Sequence, residues 1–147
     1  HFKRGVLLQQ QRRDAQARQA YLDVINIDPD FAPAYNNLAW MQAESGQKLD
    51  QASQWAATAV KLEPNNPAFR DTQGWVYRTQ RQFAEAETVL EKAATMAPPI
   101  ADVHYHLGLV YLDQKKTDPA RRAFKDALAI DPKHAAAAAS LEKLGSP

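Results

Sequence analysis

Apolar positions along this chain recur with the period of a helix. Ala86, Val89, Leu90, Ala93 and Met96 form one stripe, and Ala120, Ala123, Phe124, Ala127 and Ile130 form another, each confined to a single helical face. Extended to the whole chain, the pattern predicts paired helices over about 1–11 and 14–27, 33–45 and 50–62, 67–80 and 83–96, and 101–114 and 118–130. Proline sets the stops. At Asp28-Pro29, Glu63-Pro64, Ala97-Pro98 and Asp131-Pro132 the residue before the ring is pushed out of the helical region. Asn66-Pro67 and Asp118-Pro119 set two starts, each joining a capping side chain to a proline whose missing N–H costs nothing there.

This punctuation repeats. Pro29, Pro64, Pro98 and Pro132 lie 35, 34 and 34 residues apart. Two rows of small residues keep the same step: Gly5, Ala39, Gly74 and Gly108, then Ala17, Ala52, Ala86 and Ala120. A two-helix unit of this length signals a solenoid, in which each pair buries its apolar side against the next pair rather than around one central core. The predicted fold is all-α, a right-handed α-solenoid of four helix-turn-helix repeats over about 1–31, 32–66, 67–100 and 101–134. The small-residue rows place one extra residue between Ala39 and Ala52, expected in the turn from Gly46 to Leu49, where an insertion costs little. After Pro132, the alanine run with Leu141, Leu144 and Gly145 predicts a capping helix over about 135–145.

Repeat four carries the pattern most clearly, with Leu107-Gly108 and Tyr111 on its first helix and Ala120, Phe124, Ala127 and Pro132 on and after its second. It resembles the tetratricopeptide repeat, and the resemblance covers nearly the whole chain. It implies a stack whose first helices line a concave side, while functional residues do not travel with the fold. Repeats two and three depart from repeat four. Arg70 and Gln73 replace His104 and Leu107, and Gln42 stands where Tyr77 and Tyr111 occur. A buried amide without a partner costs about 1–3 kcal/mol, so Gln42 and Gln73 are expected to pair. Trp55-Ala56 stands where repeat four has Ala123-Phe124, a large-small exchange expected to accompany the extra turn residue.

One stripe of each first helix faces the concave side: Phe2, Val6 and Gln9; Asn36, Trp40 and Ala43; Asp71, Trp75 and Arg78; Tyr105, Leu109 and Leu112. Its middle row, Val6, Trp40, Trp75 and Leu109, is apolar in every copy. Folding alone gives no reason to place two tryptophans in a solvent-facing groove, and such surface marks a binding site. The candidate groove is Val6, Asn36, Asn37, Trp40, Asp71, Trp75, Arg78, Tyr105, His106 and Leu109, with aromatic anchors inside a polar rim. An extended peptide or amphipathic helix is the expected guest. Two alternatives stay open: the indoles belong to inter-helix packing, or a neighbouring segment of the parent protein fills the groove. The chain opens inside its first predicted helix, which reads as a fragment of a longer protein.

Composition narrows the chemistry. Lys and Arg number 18 against 17 Asp and Glu, a balance that gives no reason to expect nucleic acid or an anionic membrane as partner. There is no cysteine, which excludes disulfides and thiol nucleophiles, and no apolar run reaches the roughly 18 residues of a membrane span. His104 and His106, two apart, point to different helix faces and read as one packing and one groove-edge residue, so no metal, cofactor or catalytic set is predicted. Lys115, Lys116, Arg121, Arg122 and Lys125 read as a solvated convex face.

Tetratricopeptide repeats that grip a C-terminal carboxylate use Lys, Arg and Asn at set groove places. Here those places hold Phe2, Val6, Asn37, Ala68 and Thr72, or one repeat on, Asn36, Trp40, Thr72, Asp102 and His106. A carboxylate clamp is therefore not expected. The resemblance implies a non-enzymatic protein-binding scaffold, with an assembly or self-association module, open to homo-oligomers, as the alternative. The phrases around Trp40, Trp75 and His106 are similar to those of bacterial repeat proteins of exopolysaccharide export and protein sorting, implying a scaffold of the bacterial cytoplasm or envelope.

Overall fold

The computed structural model describes residues 1–145. Among them it contains α1 (Phe2–Gln10), α2 (Asp14–Ile27), α3 (Ala32–Ser45), α4 (Leu49–Leu62), α5 (Pro67–Thr79), α6 (Phe83–Ala94), α7 (Ala101–Asp113), α8 (Thr117–Ile130) and α9 (Ala135–Leu144), and no strand. Each helix packs on its chain neighbours, and in addition α3 meets α5 and α5 meets α7. The first helices of successive pairs thus draw together on one side, the inner side of a curved stack. Among the described residues no helix is long and apolar enough to cross a membrane.

Proline terminates the second helices by the expected route. Asp28, Glu63 and Asp131 take extended backbones with φ near −131 to −133°, because the following ring excludes the helical region. The exception is α6. It stops at Ala94, so Met96 lies beyond the helix rather than on its stripe. The Asn66 cap forms as predicted, its side chain accepting from the Ala68 N–H at 3.0 Å. Asp118 does not cap α8, which starts one residue earlier, and instead bonds Arg121 at 2.9 Å. Arg121 is largely buried, unlike the solvated neighbours with which the sequence grouped it.

A single volume rule joins the two helices of a pair. A Cβ on Gly108 would stand 2.4 Å from the Phe124 ring, one on Gly74 2.5 Å from Leu90, and one on Gly5 2.6 Å from the Tyr21 ring. These contacts are too close for any carbon, so glycine is what lets a bulky side chain on the second helix approach the first. Repeat two inverts the pair. Ala39 and Ala56 occupy the corresponding places, both fully buried, while the adjacent Trp55 supplies the missing volume to the same core. The exchange at Trp55-Ala56 therefore answers Ala39 across the helix pair.

That residue lengthens α3. All four intra-repeat connections are three residues long, but α3 runs to 14 residues against 13 in α5 and α7. Its turn closes with both Gly46 and Lys48 in the left-handed region, whereas the other turns use one such residue each, Arg12, Arg81 or Lys115. Gln42 braces this turn, donating to Ser45 Oγ at 3.2 Å and to the Gln47 carbonyl. Its predicted pairing with Gln73 does not occur, because the reshaped turn satisfies it locally. Arg70 likewise finds a carbonyl, that of Pro64, at 3.1 Å.

The capping helix α9 is pinned by His134. Its Nδ1 accepts from the Ala137 N–H at 3.0 Å, which leaves the proton on Nε2 to donate to Asp102 on α7 at 2.6 Å.

Candidate functional site

Trp40 on α3 and Trp75 on α5 lie one repeat apart and stack, with ring centroids 5.5 Å apart and planes inclined by 20°. Both are partly exposed, so they stand on the concave side between adjacent first helices and are not enclosed in the core. Offset aromatic stacking of this kind adds about 0.5–1.5 kcal/mol beyond the area it buries. The Trp75 Nε1–H donates to Glu44 at 3.1 Å, and the Arg78 guanidinium lies 5.0 Å from the Trp75 ring. His106 on α7 completes the cluster, 4.6 Å from Trp75 and 5.8 Å from Trp40.

Behind these rings the polar residues do not form the open rim the sequence suggested. Asp71 and His106, each only 8% exposed, bind one another: His106 Nδ1 faces the two carboxylate oxygens at 2.8 and 3.0 Å. Arg78 reaches Asp113 with Nε at 2.6 Å and Nη2 at 3.3 Å. Both pairs join α5 to α7, so Asp71, His106 and Arg78 hold the wall of the groove and are spent internally. His104 points the other way, with Asp126 of α8 4.0 Å from its Nδ1. The two histidines therefore serve different helices.

Asn36 and Asn37 lie beside the indoles on α3. Asn36 donates to Asn37 Oδ1 at 3.3 Å, and its own Oδ1 is buried with no partner. A buried acceptor left unpaired costs about 1–3 kcal/mol. Tyr105 packs between His106, at 5.6 Å, and His134, at 5.1 Å. Val6 packs into the repeat-one core. Leu109 is half-buried on α7, outside the ring contacts of the cluster. Trp40, Trp75, Asp71, Arg78, Tyr105 and His106 thus converge, Asn36 and Asn37 flank them, and Val6 and Leu109 lie at the ends of the row.

The stripe on single helices did not reveal which residues would pair. Trp40 with Trp75, Asp71 with His106 and Arg78 with Asp113 are each 35 residues apart, one repeat plus one at the α5–α7 junction. A search for complementary side chains at that offset would have found them. Missed altogether was a cavity of about 680 Å³ that opens beside Trp40, walled also by Arg12, Arg18, Glu44 and Lys48. Its residues come from turns and second helices as well as from the first-helix stripe.

Known proteins were compared with this geometry. A TPR repeat-containing protein of Pseudomonas aeruginosa is 32% identical over 107 residues, which cover 73% of this chain and 18% of that protein. The solved structure of pilF from the same organism superposes with a TM-score of 0.87 at 23% identity, over 97% of this chain and 65% of that one. That of YrrB, described as a TPR protein with an unusual peptide-binding site, gives 0.71 at 21% identity, over 86% of this chain and 65% of that one. The chain thus spans under a fifth of the first relative's length and about two thirds of either structure. At such identities the two structures speak for the fold alone. Tetratricopeptide-repeat family models match residues 1–30, 20–52 and 72–135, and with the repeating volume rule that places glycine against a bulky partner, the chain belongs to the tetratricopeptide-repeat family.

Proposed function

We propose that this chain is a non-enzymatic scaffold whose concave groove, floored by Trp40 and Trp75, holds a peptide or helix of a partner protein. The observation that carries the reading is the pair of stacked, partly exposed indoles on adjacent first helices. Large aromatic rings that remain in contact with water are where interfaces concentrate binding energy. The peptide-binding site named for YrrB is in keeping with a tetratricopeptide-repeat groove used in this way. A bacterial setting, in the cytoplasm or at the envelope, goes with the same reading.

Replacing both Trp40 and Trp75 with alanine should abolish peptide capture, measured by fluorescence polarisation, while circular dichroism keeps its helical signal. Because Trp75 also touches the core, Trp40→Ala alone serves as the milder variant, with an expected loss of at least about tenfold in affinity. Undiminished binding by both variants would refute the groove.

A second reading, self-association or packing against another segment, is favoured by Leu7. It is 53% exposed, whereas Val76 and Val110 at the corresponding places are 1% and 0% exposed. Val110 is covered by Ala86 and Leu90 of the preceding repeat. Sedimentation across concentrations, with Leu7→Gln as the control, tests it: a monomer at every concentration removes the self-association.

A further inference from the structure

Whole-chain charge balance hides a local asymmetry along the groove. Its acidic groups are engaged internally: Asp71 by His106, Asp113 by Arg78, and Glu44 by the Trp75 indole N–H. At the repeat-one end the opposite holds. Residues 1–20 contain Lys3, Arg4, Arg12, Arg13 and Arg18 against the single carboxylate of Asp14. The cavity beside Trp40 is walled by Arg12, Arg18 and Lys48, and none of these three forms a salt bridge among the described residues. Arg18 is steadied over the Trp55 ring at 5.5 Å, which leaves its hydrogen-bond donors free. Arg12 and Lys48 project from the left-handed positions of two successive turns. The carboxylates on this wall are Asp14 and Glu44, so three cations face two anions there, and Glu44 also accepts from the Trp75 indole N–H.

We infer that this cavity is a subsite for an acidic side chain of the guest, held by Arg12, Arg18 and Lys48, with a neighbouring apolar residue of the same peptide lying against Trp40; the inference rests on the groove reading above. An excess of positive charge at one end of the groove selects an acidic segment and sets its direction, since complementary charge governs register and encounter more than total affinity. The volume of about 680 Å³ accommodates such a side chain together with its neighbour. The subsite lies at the turn edge of repeats one and two, away from the groove places that carry a carboxylate clamp and that here lack lysine and arginine. Partly exposed charges are screened by salt within about 10 Å at 0.1 M, so the selectivity should fade as salt rises.

Three fluorescein-labelled peptides of equal length test this, each with a central Phe flanked by Glu, Ser or Lys residues, in polarisation titrations at about 50 and 200 mM salt. The Glu peptide should bind at least about tenfold tighter than the Lys peptide at low salt. Arg12→Gln with Lys48→Gln, both at exposed turn positions, should erase that preference and leave the Ser peptide unchanged. Trp40→Ala should weaken all three. Equal binding of the Glu and Lys peptides, still dependent on Trp40, overturns the subsite and leaves the groove standing. A preference for the Lys peptide overturns it as well. If no peptide binds and indole emission never responds, the groove reading falls with it. Salt-sensitive self-association that the Glu peptide fails to displace overturns it in favour of a second copy.

Discussion

Repeats two and four both adjoin repeat three, and they meet it by opposite means. The junction of three and four is closed by polar pairs, Asp71 with His106 and Arg78 with Asp113, behind a second helix locked by Phe124 in the glycine gap. The junction of two and three is joined by the Trp40–Trp75 stack and leaves the Asn36 carbonyl unpaired. Where repeat three has Asp71 facing His106, repeat two has Asn36, and the place of His106 is taken by Thr72, whose hydroxyl turns back to the Ala68 carbonyl at 3.2 Å. One junction is satisfied within the fold; the other leaves two aromatic faces partly exposed and a buried acceptor unpaired. Neighbouring contacts of the same architecture are thus closed in one case and left partly open in the other.

Breaking the closed side should produce the largest effect. Gly108→Ala gains about 1 kcal/mol of helix propensity, but it drives a carbon to within 2.4 Å of the buried Phe124 ring. Overpacking of this kind costs about 1–3 kcal/mol and sometimes more, so the clash wins and the melting temperature falls. The loss should shrink when Phe124→Ala is added, a coupling that a double-mutant cycle measures. Purely additive effects would mean that the two residues do not share the gap.

Asp71→Ala comes next. It leaves His106 Nδ1 buried without its partner, at a cost of about 1–3 kcal/mol, and loosens the ring that backs Trp75. Urea unfolding should register the loss, and indole emission should shift toward the wavelength of exposed tryptophan. The matching change at the open junction, Asn36→Ala, should lower stability little, because its carbonyl is unpaired already. Equal losses at the two sites would erase the contrast drawn between the junctions.

A partial recovery, smaller than either of these losses, sharpens the comparison from within repeat two. Ala56→Leu should destabilise alone, by about 1–3 kcal/mol, and Ala39→Gly should recover part of this by reopening the gap present in the other repeats. Recovery will be incomplete, because Trp55 still fills the adjacent volume.

Much of this molecule was legible before any coordinates. Period and proline position define the helices because both act locally: the ring before which a helix must stop belongs to the next residue, and the apolar stripe belongs to one helix. The same local logic placed Trp40 and Trp75 on the groove side. It could not decide what the polar groups beside them do, because Asp71, Arg78 and His106 look alike as a rim and as a set of internal pairs until α5 and α7 are side by side. It also misjudged Gln42, whose partners lie in the turn it braces, and Ala56, whose small size answers Ala39 on the other helix.

The sequence by itself determined the repeat, the helix pairs and the row of apolar residues on the inner side, since each follows from spacing along one chain. Only the tertiary structure decided which charges remain free. That depends on distances between residues about 35 positions apart on different helices, and pairing across such a junction cancels some charges, as at Arg78 and Asp113, while Arg12, Arg18 and Lys48 form no salt bridge among the described residues.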